Sequence, residues 1–128
     1  MGLSESILIF PQHRSLYENA AAFREAILEL KSHCTEKKLV IESHSLEDAK
    51  EMLSLGADVL QIDKCDVQTL EAIVKYKNIH YPNATIIAAG GINAQNAAAF
   101  AQTGINAIVT SALYQSPMAD LTSALEHR

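Results

Sequence analysis

Five short apolar runs punctuate the chain: Ile7 to Phe10, Leu39 to Glu42, Val59 to Asp63, Thr85 to Ala89, and Ala107 to Ser111. Each is continuous rather than alternating, the pattern of parallel strands covered by helices on both faces. The segments between them carry helical periodicity. Ser15 and Glu18 have the spacing of a capping box, and Leu16, Ala20, Phe23, Ile27 and Leu30 then recur at intervals of four and three along one face. Ser45 opens a second helix with Asp48 three residues on, Leu46, Ala49, Met52 and Leu53 form its apolar face, and Gly56 stops it. Asp66 opens a third, with Leu70, Ile73 and Val74 inward, and Pro82-Asn83 marks the turn into the fourth strand. Asn93 opens a fourth that ends at Gly104, and a last helix is predicted from Ala119 to about Leu125.

Gly56 to Asp63 and Gly104 to Ser111 read as one unit written twice: a helix-stopping glycine, a short turn, a buried strand and a polar exit. The chain is therefore α/β, five parallel β/α units in sequence. No linker or low-complexity stretch divides it, so residues 1–128 are expected to be a single domain. A closed eight-unit barrel needs roughly 250 residues, so five units suffice only for part of one.

Composition narrows the function. A net charge of -5, with no basic run longer than Lys37-Lys38, excludes general attraction to nucleic acid or anionic lipid. No apolar run approaches the length of a membrane span. Cys34 and Cys65 stand alone without a CxxC pair, which fits a reducing cytoplasm and gives no zinc-ligand spacing. Phe23 and Phe100 read as core.

Nearly all polar residues that a core would reject fall at strand exits: Gln12-His13, Glu42, Asp63-Lys64, Gly90-Gly91 and Thr110-Ser111. In barrels and open α/β sheets alike this rim is the ligand face. Glu42 and Asp63 end successive strands, so their carboxylates are expected in one cavity, able to grip hydroxyls, hold a hydrated Mg²⁺ or balance positive charge at a reacting carbon. Gly90-Gly91 ahead of Asn93 lets an anion approach the backbone at a helix start, and Thr110-Ser111 at the next exit completes a phosphate cradle. His13 and His44 also follow strand ends and can donate to an anion, His13 being the better placed. His33, His80 and His127 sit near helix ends and receive no chemistry.

As an ordered set, the stretch Ser6 to Arg14, Ile41-Glu42 ahead of Ser45 to Ala49, Gly56 to Lys64, Ala89 to Asn93, and Thr110-Ser111-Ala112 resembles the C-terminal barrel of the quinolinate phosphoribosyltransferase (nicotinate-nucleotide pyrophosphorylase) family. The likeness runs from Gly2 to about Leu121 and is strongest to the ModD branch, pyrophosphorylase-type proteins found with molybdate transport genes. It implies an incomplete TIM-like β/α barrel and transfer of a phosphoribosyl group from phosphoribosyl pyrophosphate, with Mg²⁺, onto a ring nitrogen. Glu42 and Asp63 would hold the ribose hydroxyls and steady an oxocarbenium-like centre. Gly90, Gly91, Thr110 and Ser111 would seat the 5′-phosphate, with His13, Lys64 and Asn93 also on the substrate. The metal would arrive with the substrate rather than on ligands of its own.

The departures are informative. The family's usual lysine before the first strand exit is replaced within Phe10-Pro11-Gln12-His13, its Asn after the strand-end Asp is Lys64, and its Glu-x-Ser before the glycines is Ile87-Ala88-Ala89. Quinolinate itself is thus not the expected acceptor, and the shifts lie where the ModD branch differs. The family also has a preceding domain and further barrel strands, so the chain is expected to be a fragment, a poor catalyst alone, with unpaired edge strands that invite homodimers or larger homo-oligomers. The alternatives are a non-catalytic phosphosugar-binding module or a receiver-like doubly wound domain, for which only Asp63 fits the required pattern.

Overall fold

The structure, a computed structural model, describes residues 5–115. The five apolar runs are strands, β1 (Ser6–Ile9), β2 (Lys38–Ser43), β3 (Val59–Asp63), β4 (Thr85–Ala89) and β5 (Ala107–Ile108). Between and after them lie α1 (Pro11–Arg14), α2 (Ala20–His33), α3 (Leu46–Ser54), α4 (Val67–His80), α5 (Ala97–Gln102) and α6 (Ala112–Gln115). The strands are parallel and lie side by side in chain order. Crossovers between parallel strands share a right hand, so sequential order places every crossover helix on the same side of the sheet. This is the winding of a β/α barrel. A receiver-like domain needs its first strand inside the sheet, between the second and third; here β1 is at an edge, which removes that alternative.

The register shows the same division. Ile41, Leu60 and Ile86 are paired across three strands, as are Ser43, Ile62 and Ala88. All six are at most 1% exposed, and the apolar ones form one core with Ile27, Ala49, Met52, Leu53, Leu70 and Ile73 of the helices. Each such large side chain withdrawn from water contributes about 1.5–3 kcal/mol. The other face carries Leu8, Val40, Glu42, Gln61, Asp63 and Ile87, which remain partly or fully exposed, with Val59 and Ala89 buried among them. The expectation of two covered faces therefore holds for one face only, because the winding sends no helix to the other.

The helix starts at Ser45 and Asp66 are as predicted: their side chains accept the backbone N–H of Asp48 and Thr69. The predicted start at Ser15 is not. Pro11, after extended Phe10, begins the separate short α1, and Ser15 closes it, its hydroxyl donating to the Gln12 carbonyl at 2.7 Å. Asn19, an equally good cap, then starts α2 by accepting the Ala22 N–H, and Leu16 is left 81% exposed. Asn93 likewise opens a turn rather than the helix, which begins at Ala97. Strand β5 is shorter than predicted, with Val109 still donating to the Ala88 carbonyl but half exposed at the sheet edge. The helix predicted from Ala119 lies outside the described residues. Among the described residues no helix is long and apolar enough to cross a membrane.

The repeated unit is repeated in atoms as well as letters. Asp58 accepts the Leu39 N–H at 2.8 Å through its carboxylate while its own N–H donates to the Leu39 carbonyl. Asn106 does the same to Ile86, also at 2.8 Å. At the opposite end of the strands, Arg14 clamps Asp48 with two hydrogen bonds of 2.6 and 3.0 Å, and the fully buried Ser43 hydroxyl donates to the same carboxylate. Burial alone would raise the Asp48 carboxyl, but Arg14 and Ser43 outweigh it and hold it below its ordinary value. Lys64 adopts a left-handed backbone, φ 53°, a region costly for side chains other than Gly, Asn and Asp.

Two outcomes are expected. With its folded pKa depressed, Asp48 contributes stability that is full above the unfolded value of about 3.9 and is lost as pH falls through the lower folded value. Asp48→Asn should therefore cost about 1–3 kcal/mol near neutrality, the scale of hydrogen bonds to a charged group, and should flatten the acid side of a urea-denaturation series against pH. Lys64→Asn should relieve the backbone and raise the thermal midpoint by about 2–5 °C, corresponding to ~0.5–1 kcal/mol; an unchanged midpoint in calorimetry would show that no strain is held there.

Candidate functional site

Residues two apart on a strand share a face. Glu42 lies on the open face, paired in register with Gln61, and Asp63 is two residues beyond Gln61. The two carboxylates therefore emerge on one side at the carboxyl ends of adjacent strands. Between them in the chain Ser43 turns to the helices, and His44, two past Glu42, returns to the open side. One donor atom from each of Glu42, His44 and Asp63 falls within 4.8 Å of the others. His44 Nε2 is 3.5 Å from Glu42 Oε1, the Glu42 side chain being only 13% exposed, and His44 Nδ1 is 3.4 Å from the Asp63 carbonyl oxygen. Among the described residues neither carboxylate forms an ion pair with a lysine or arginine.

Asp63 also reaches the next exit. Its Oδ1 and the Lys64 Cγ lie so close over Gly90 that a Cβ there would overlap both, and Gly90 has φ +78°. Glycine is required twice over: for the left-handed backbone and for the carboxylate that rests on it. Lys64 fixes the contact from the other side by donating its N–H to the Ala89 carbonyl at 3.0 Å.

Beyond Gly90 a cleft of about 310 Å³ is bounded by Gly90 to Asn93 and Val109 to Ala112. Its walls are held by side chains that the sequence had suggested for ligand contact. Asn93 accepts the N–H groups of Gln95 and Asn96, Asn96 accepts the Asn93 N–H, and its amide donates to the Gly91 carbonyl. The Thr110 hydroxyl donates to the Ile92 carbonyl and accepts the Ala112 N–H, tying one loop to the other. Asn93 and Thr110 thus shape the cleft, and Gly90, Gly91 and Ser111 present its lip. A larger recess, about 470 Å³, lies at the other end of the strands around Gly56, Asp58 and Pro82; it holds the Lys31–Asp58 ion pair and none of the strand-exit groups.

The histidines exchange places relative to expectation. His13 is drawn onto Phe10, accepting its N–H at 3.1 Å, and lines a separate recess with β1 and α2, because Pro11 turns the chain into α1 before the rim is reached. His44 joins the acids instead. The signal was its spacing, two residues from Glu42 on the same strand face. Burial first, then the charges of Asp66 and Asp63, push the thiol of Cys65, next along, up and away from its reactive thiolate form.

A family model described as the quinolinate phosphoribosyl transferase C-terminal domain matches residues 1–122. The ModD protein of Escherichia coli O157:H7, which bears the name pyrophosphorylase, is 33% identical over 125 residues, 98% of this chain and 44% of its own length. That of Pasteurella multocida, strain Pm70, is 30% identical over the same shares. The chain thus spans less than half the length of these relatives. Among solved structures, a nicotinate-nucleotide pyrophosphorylase from Ehrlichia chaffeensis matches with a TM-score of 0.70 at 21% identity, over 84% of this chain and 37% of that one, a likeness of fold. With winding, strand-exit motifs and the match over residues 1–122 in agreement, this chain belongs to the quinolinate phosphoribosyl transferase C-terminal domain family.

Proposed function

We propose that the strand-exit rim binds phosphoribosyl pyrophosphate with Mg²⁺ and serves transfer of the phosphoribosyl group to a nitrogen heterocycle. The reading rests on one observation above the others: the Asp63 carboxylate lies on Gly90, at the edge of the glycine-lined cleft. A sugar phosphate has the matching layout, hydroxyls and a reacting carbon at one end and a phosphate at the other.

In this reading Glu42 and Asp63 accept hydrogen bonds from the ribose hydroxyls. As the bond from the anomeric carbon to pyrophosphate breaks, positive charge grows on the ring, and two fixed carboxylates in a partly dry site stabilise it. The ring nitrogen of the acceptor then forms the new bond and pyrophosphate departs. Gly90, Gly91 and Ser111 take the 5′-phosphate, with Lys64 adding charge at the same lip. Mg²⁺ would arrive on the substrate's phosphates, as it commonly does, and would there neutralise the leaving pyrophosphate. The same proposal includes a cytoplasmic enzyme working as a homo-oligomer beside molybdate transport functions, with the open sheet face as the physical motive for assembly. Because the chain covers 44% of its relatives, binding of the donor without turnover is the behaviour proposed for it alone.

Calorimetric titration with phosphoribosyl pyrophosphate and Mg²⁺ tests this. Saturable binding is expected, weakened about ten- to hundredfold by Asp63→Asn, the scale of a lost hydrogen bond to a charged group. Equal binding by the parent and the variant would remove Asp63 from the site.

A further inference from the structure

We propose that Arg14 is a positioning residue for Glu42: by holding Asp48 in a planar two-point contact, it locks Ser43 on the helix side of β2 and so keeps the Glu42 carboxylate on the open face beside Asp63. What the placed carboxylate binds, the ribose hydroxyls of a phosphoribosyl donor, rests on the transferase reading. The placement itself rests on the side-chain network alone.

The Glu42 side chain is only 13% exposed, and among the described residues it has no lysine or arginine ion pair to set its direction. His44, the side chain it meets, leaves from the same strand exit. The backbone they share therefore decides where the carboxylate points, and that backbone is fixed at Ser43. Side chains alternate across a strand, so a Ser43 held toward the helices keeps both neighbours on the open face.

Ser43 is held through Asp48. Its fully buried hydroxyl donates to Asp48 Oδ2 at 2.6 Å, and the Asp48 N–H donates to the Ser45 hydroxyl at 3.2 Å, so one residue grips the β2 exit at two points. Arg14 meets Oδ2 through Nη1 at 3.0 Å and Oδ1 through Nη2 at 2.6 Å. A guanidinium fork fixes the plane of a carboxylate as well as its position, which a lysine ammonium, a compact point charge, does not. With that plane fixed, Oδ2 stays aimed at Ser43. Arg14 is itself steadied by the ring of Phe23, 5.5 Å from its guanidinium carbon, and Phe23 is anchored in the core. Because Arg14 ends α1, which follows β1 directly, the first strand exit sets the geometry of the second.

The test is a double-mutant cycle of Arg14→Lys and Glu42→Gln, read by calorimetry as affinity for phosphoribosyl pyrophosphate with Mg²⁺. Arg14→Lys keeps the positive charge and is expected to weaken binding about three- to tenfold in the parent, but less than about twofold in the Glu42→Gln background, because its effect passes through that carboxylate. Ser43→Ala, which leaves Arg14 and Asp48 paired, should give the same pattern. Arg24→Lys is the control: Arg24 also reaches α3, through Glu51 at 3.3 Å, but holds no strand exit, and its substitution should leave affinity unchanged. Losses that add across the cycle, or an Arg14→Lys chain that melts lower yet binds as the parent does, would mean a brace for the fold alone and overturn the proposal. A parent that binds no phosphoribosyl pyrophosphate removes the transferase reading, and placement is then read from the side-chain carboxyl carbon resonance of Glu42. That resonance should move in Arg14→Lys and Ser43→Ala and stay in place in Arg24→Lys; if it is unmoved in the first two, the positioning role falls as well.

Discussion

Side chains along a parallel strand point alternately to the two faces of the sheet, and in a sheet wound in chain order only one of those faces receives the helices. Everything distinctive about this chain follows from that pair of constraints. At the exit of β2, Ser43 is fully buried on the helix side, bound to an Asp48 that Arg14 also holds. Its neighbours Glu42 and His44 face the other way and meet Asp63. One step along the backbone separates a polar residue that braces the fold from two that meet Asp63 at the strand exits.

Much of the architecture was legible because its signals are local. Parallel strands announce themselves as apolar runs, and Ser45 and Asp66 cap their helices through side chains three residues from the N–H groups they bind. The errors came where two local signals compete or where the deciding partner is distant. Ser15 and Asn19 are both good caps, and only the turn made by Pro11 assigns Ser15 to the end of one helix and Asn19 to the start of the next. Asn93 and Thr110, read as ligand contacts, also hydrogen-bond within the loops of the cleft, which strand-exit position alone does not reveal. The site itself was half legible. Glu42, Asp63 and the glycines were visible as strand-end residues; that His44 rather than His13 completes the group depends on strand register and on the path of α1.

The family pattern and the backbone explain each other at Lys64. Asn, which the family resemblance leads one to expect at that place, tolerates a left-handed conformation, and the backbone here adopts that conformation with a lysine. The left-handed turn lays the Lys64 Cγ beside the Asp63 carboxylate over Gly90.

The paired latches of Asp58 and Asn106 bear on how such a chain comes into being. The residue before β3 holds the Leu39 amide of β2, the residue before β5 holds the Ile86 amide of β4, and the Asp58 carbonyl accepts the Thr85 amide that opens β4. Among the described residues the sheet is stitched from each strand to its neighbour in chain order. Assembly of this kind has the character of a linear array, in which the register of each β/α unit is set by the unit beside it.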